Sequence, residues 1–99
     1  AHLAGFIDIF RMHSDNRLPV KLKLGLPSSS LLVEEFPIAS KYLQKISDNE
    51  WILDTEVCSY EGVGRFVLGL MGDIEIIDSP DFLRYITSQV EKMKNTLSG

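Results

Sequence analysis

Ninety-nine residues, 44% hydrophobic and 24% charged, suit one globular domain and are too apolar for sustained disorder. The formal net charge is −4, from ten Lys and Arg against fourteen Asp and Glu, so a polyanion such as nucleic acid is repelled at long range. A single Cys and two distant His exclude an intramolecular disulfide and a clustered metal site, and no apolar run approaches the ~18 residues of a membrane span.

The chain opens on Ala1-His2 without an initiator Met, which suggests a piece of a longer protein. Leu3, Phe6, Ile7 and Phe10 follow i, i+3, i+4, i+7 spacing, so residues 2–12 are expected to form an amphipathic helix, weakened by Gly5. The polar run from Met12 to Arg17 reads as a linker. Residues 1–17 are therefore expected to connect to an upstream domain, and the ordered domain to span 18–99. From Val20 to Leu26 apolar residues alternate with Lys21, Lys23 and Gly25, the period-two pattern of a strand with one wet face. Pro27 and Ser28–Ser30 then mark a helix start. The short helix through Leu31, Leu32 and Glu35 ends before Pro37.

Residues 41–46 and 51–58 are rich in strand formers and flank the turn-prone Ser47-Asp48-Asn49-Glu50, which predicts a hairpin. Val63, Phe66, Val67 and Leu70 give a helical stripe, and Gly72 is placed to end that helix in a left-handed cap. Ile74, Ile76 and Ile77 form a further strand. Ser79 and Pro80 start the last helix, which runs to about Leu97 with Asp81 near its positive end.

This order is β-α-β-β-α-β plus a terminal helix. The expected fold is α+β and ferredoxin-like: a four-stranded antiparallel sheet with helices on one face. The strand from Val20 is then central. Lys21 and Lys23 should lie beside Asp54 and Glu56 on one side and near Glu75 on the other, as a charge ladder on the open face. Each exposed pair of that kind contributes about 0.2 to 1 kcal/mol, which matters more for register than for stability.

The runs Leu31-Leu32-Val33-Glu34-Glu35-Phe36-Pro37, Trp51 in a strand, Gly62-Val63-Gly64-Arg65-Phe66-Val67-Leu68-Gly69-Leu70 and Ile74-Glu75-Ile76-Ile77-Asp78-Ser79-Pro80 together carry a family likeness. Over residues 18–97 the chain resembles the C-terminal extension, often called WCX, of bacterial transcriptional regulators with a helix-turn-helix and a WYL domain. The resemblance implies a non-catalytic regulatory and dimerisation module that couples effector sensing to DNA binding in a cytoplasmic protein. Its partners would be its own upstream WYL and helix-turn-helix domains and a second copy of itself. DNA contact would come only through the parent protein, and neither a cofactor nor a membrane is implied. None of the matching segments is a catalytic motif. The chain lacks the winged helix and the WYL domain's aromatic and basic residues. The alternative is a stand-alone small-molecule-sensing domain of ferredoxin-like fold, with effector bound between helices or at a dimer interface.

Individual residues narrow the chemistry. Gly62 to Val67 is superficially like an RNA-recognition motif, but its basic and glycine positions are out of order and its period is helical. An acyl-phosphate hydrolase on the same topology needs an arginine in the loop after the first strand, and Gly25-Leu26-Pro27-Ser28 has none. Cys58 has no base near it in sequence and is expected to be inert. Glu34 and Glu35 are read as helix-end solvation, and His2 and His13 fall in the lead segment. Glu61 and Arg65 stand one turn apart as a surface pair; alternatively Arg65 reaches an effector or partner carboxylate over a surface left low by Gly62 and Gly69. Trp51 is a core or interface aromatic. On the last helix Ile86, Val90, Met93 and Leu97 are four, three and four residues apart. This heptad-like seam packs either on its own sheet or, through its distal half, on a twofold-related copy.

Overall fold

The structure is a computed structural model and describes residues 6–98. It is a mixed α+β fold with antiparallel sheets and a C-terminal helix. In chain order the elements are β1 (Phe6–Ile7), β2 (His13–Ser14), β3 (Leu18–Leu24), α1 (Leu26–Glu35), a 3-10 helix (Pro37–Tyr42), β4 (Leu43–Ser47), β5 (Glu50–Val57), α2 (Tyr60–Gly69), β6 (Ile74–Ile77) and α3 (Pro80–Ser98). Strands β1 and β2 form a two-stranded sheet. The other four lie in the order β4-β5-β3-β6, and every neighbouring pair is antiparallel.

Alternation along β3 and β5 sorts the two faces. Val20, Leu22 and Leu24 are buried, as are Leu53, Thr55 and Val57, while Asp54 and Glu56 are exposed and Lys21 and Lys23 half-buried. The apolar members of that set join Leu32 of α1, Val63, Phe66 and Val67 of α2, and Phe82 and Ile86 of α3 in one core. Period two thus puts the helices on one side and the charges on the other.

The charged face differs in detail from the expected ladder. Lys21 stands opposite Asp54, but Lys23 stands opposite Ile52, and Glu56 is opposite Pro19. Glu75 is opposite Lys23 on the other side. The ion pairs follow reach instead of register: Lys23 with Glu50 at 2.9 Å, Arg17 with Glu56 at 3.3 Å and Lys21 with Asp78 at 3.6 Å. The hydrogen bond between them holds the Lys23 ammonium above its ordinary range and the Glu50 carboxyl below its own. The contribution of Glu50 is present above the usual carboxylate range and is lost as pH falls through its depressed value; exposure keeps it small.

The expected helix over residues 2–12 is not formed where the structure describes it; residues 2–5 lie outside the described residues. Phe6 and Ile7 pair with Ser14 and His13, and the turn between them is built around Asp8. Its Oδ1 accepts from the backbone N–H of Phe10 (2.8 Å) and Met12 (3.0 Å), and its Oδ2 accepts from Cys58 N–H (2.8 Å). Those bonds tie the turn to the end of β5. Ile9 and Phe10 are core residues, so the ordered fold reaches back well before Leu18, and the supposed linker contains β2. Arg11 sits in the left-handed region with φ 66°. Its guanidinium donates to Glu35 O and lies 4.9 Å from the Phe36 ring centroid.

Other local expectations are adjusted by tertiary contacts. Helix α1 has no side-chain cap of its own at Gly25. Instead Asp73, in the turn before β6, accepts from Ser28 N–H at 2.8 Å through its carboxylate and from Gly25 N–H at 3.1 Å through its carbonyl. A Cβ on Gly25 would run into that carboxylate. Gly72 does not form the expected left-handed cap: α2 stops at Gly69 with Leu70 as its C-cap, and Gly72 is not among the positive-φ positions. The 3-10 turn shortens the expected strand 41–46, which begins at Leu43.

Two of the three α2 glycines permit close approach of other elements. A Cβ on Gly62 would stand 3.0 Å from Phe10 Cβ, and one on Gly64 would stand 2.8 Å from the Tyr85 ring. Gly62 therefore seats the β1-β2 turn and Gly64 seats α3. Tyr60, Phe82 and Tyr85 cluster at that crossing with centroids 5.2 to 6.3 Å apart, and burial pushes the Tyr60 phenol above its usual range.

Candidate interaction surface

Helix α3 starts with Pro80 and carries Asp81 in its first turn, where a fixed φ and a negative charge suit the orphan N–H groups. Ser79 anchors it to the sheet: its Oγ accepts from Lys21 N–H at 2.9 Å and donates to Ile77 O at 2.8 Å. The helix has 19 residues and is about 28 Å long, yet only Phe82 and Ile86 are buried. Every residue from Val90 to Ser98 is exposed.

The apolar seam therefore divides at its first member. Ile86 packs on the body, as a helix lying on its own sheet requires. Val90 at 39% exposure, Met93 at 51% and Leu97 at 88% do not. Leu83, 50% exposed, extends the same line toward the N-terminus. The signal in sequence that marks Leu83 is its place seven residues before Val90. Leu83, Val90, Met71 in the turn after α2 and Ile76 of β6 line a groove of about 360 Å³, with Glu75 and Glu91 also in its lining. A separate apolar surface further along α3 is lined by Met93 and Leu97, with Gln89, Lys92 and Thr96 beside them. The strand under the groove, β6, is an edge of the four-stranded sheet.

The remaining candidate residues stand elsewhere. Glu61 and Arg65 are both exposed on α2, and among the described residues they do not form an ion pair. Trp51 is half-buried at the start of β5, opposite Leu24 and Lys45, with the Lys45 ammonium 5.6 Å from its ring. It lines a shallow groove against Ser29, Ser30 and Val33 of α1. Neither Trp51 nor the Glu61–Arg65 pair lines the α3 groove.

Cys58 and Asp8 are engaged in holding the fold together. The Cys58 thiol is buried and donates to Phe6 O at 3.1 Å and Met12 O at 3.3 Å. Both Asp8 oxygens accept backbone N–H groups. Among the described residues, no group of three or more His, Cys, Asp and Glu side chains is placed to hold a metal, and no helix is long and apolar enough to cross a membrane. Compared with family models, curated proteins and solved structures, the chain has no match.

Proposed function

We propose that this chain is a non-catalytic regulatory and dimerisation module of a WYL-type transcriptional regulator, with the ferredoxin-like arrangement of the family's C-terminal extension. The motif likeness over residues 18–97 supplies the family. The observation that carries the dimerisation role is the seam on α3: Leu83, Val90, Met93 and Leu97 stand exposed at heptad-related positions along one helix, whereas the other large exposed apolar side chains among the described residues, such as Ile7, Leu26, Ile38 and Ile46, fall in no such repeat. A monomer gains nothing from keeping such a stripe in water, and contiguous exposed apolar surface is characteristic of association sites. The charged open face of the sheet suits a solvated surface better than a stacking platform for bases, so DNA contact falls to the parent's helix-turn-helix. A cytoplasmic setting goes with that role.

A direct test joins the chain to a helix-turn-helix domain that binds its operator tightly only as a dimer. Linking two DNA-binding units by dimerisation raises operator affinity by roughly 10² to 10⁴ through effective concentration alone. The fusion is expected to gain affinity of that order over the isolated DNA-binding domain. A soluble, folded fusion that binds no better than the isolated domain would overturn the assignment.

A further inference from the structure

Resting on that reading, we infer that the occupant of the α3 groove is the distal half of α3 from a second copy, with the two helices antiparallel about a twofold axis at Val90. Leu83, Val90 and Leu97 are seven residues apart, so successive members drift by only about 20° and share one face. The spacing is symmetric about Val90. An antiparallel copy therefore places the partner's Leu97 level with Leu83, Val90 on the partner's Val90, and the partner's Met93 within one residue of Ile86. The partner's Leu97 meets Leu83 and its Val90 meets Val90, which is the self-complementarity that an isologous contact demands.

The charges favour the same arrangement. Glu75 and Glu91 belong to the lining of the groove, and Lys94 lies on the distal half that fills it. With the axis at Val90, Lys94 and the partner's Glu91 fall on one flank, about 7.5 Å apart along the helix direction, within reach of the two side chains. Symmetry makes this pair twice. A parallel, in-register pairing would put Glu91 and Lys94 on the opposite flank from the partner's Glu91 and Lys94, and would form no such pair.

Cross-linking distinguishes these geometries. Leu83→Cys and Leu97→Cys alter exposed positions, and native Cys58 is buried, so both variants should fold. Under a mild thiol oxidant, a mixture of the two is expected to give a disulfide-linked heterodimer in high yield, and either variant alone little or none. Val90→Glu, which puts two carboxylates at the axis, is expected to weaken self-association roughly tenfold or more. Self-association with cross-links only between like variants, or undiminished by Val90→Glu, overturns the antiparallel seam and leaves the dimerisation role standing on another face. A chain that stays monomeric at millimolar concentration overturns both.

Discussion

Replacing Asp8 with alanine is expected to destabilise the fold by about 3 to 5 kcal/mol, a large effect for a single side chain. The carboxylate accepts three backbone N–H groups at 2.8 to 3.0 Å, one of them Cys58 N–H, 50 residues away. Hydrogen bonds to a charged acceptor contribute roughly 1.5 to 3 kcal/mol each, and they do not add fully. Alanine also leaves the buried Phe10 and Cys58 donors without a partner, which is the costlier part of the change. Because the turn carries Ile9 and Phe10 into the core and seats against Gly62, its loss opens the end of the domain where β5 meets α2. Asp8→Asn keeps one acceptor oxygen but offers donors where a second acceptor is needed, so about half the loss is expected. Urea unfolding followed by Trp51 fluorescence measures both. A loss under about 1 kcal/mol for the alanine variant would mean that residues 6–14 do not belong to the cooperative unit.

Two substitutions on one helix should separate what folds the chain from what it presents. Phe82→Ala empties a fully buried site in contact with Tyr60 and Tyr85, and truncation of a core Phe costs about 3 to 5 kcal/mol. The transition should move by roughly 4 to 8 °C for each kcal/mol in a domain of this size. Leu97→Glu, four turns further along, touches a side chain that is 88% exposed. It should change monomer stability by no more than about 0.5 kcal/mol. Thermal unfolding at low protein concentration, where association does not contribute, checks the pair. A Leu97 variant as damaged as the Phe82 variant would mean that the end of α3 packs on its own body.

Periodicity carried the sequence reading where elements are long enough to show it. The strand at β3, the stripe of α2 and the run of α3 each repeat their pattern over several turns or pleats; one face of β3 and of α2 is buried, and of α3 only the N-terminal part is. The lead segment was misread because Leu3, Phe6, Ile7 and Phe10 satisfy helical spacing, whereas two-residue strands have no period to read. What organises residues 6–14 is the bonding of Asp8 to backbone groups, one of them distant in sequence. The Asp73 cap on α1 was hidden for the same reason, since its partner lies 45 residues away. Register was also out of reach: Lys23 and Glu56 share a face, but the pairing sets Ile52 opposite Lys23, and nothing local in sequence specifies which residues stand opposite. Of the candidate surface, Val90, Met93 and Leu97 were legible from spacing. The contribution of Met71 and Ile76 depends on α2, β6 and α3 meeting in space.

Sedimentation equilibrium of the chain from micromolar to millimolar concentration, with Leu97→Glu and Val90→Glu run beside it, measures the proposed self-association itself. A reversible monomer–dimer equilibrium is expected for the unmodified chain and a shift to monomer for both variants, each with an unchanged fold by circular dichroism. A single monomeric species across the whole range for the unmodified chain would contradict the dimerisation role.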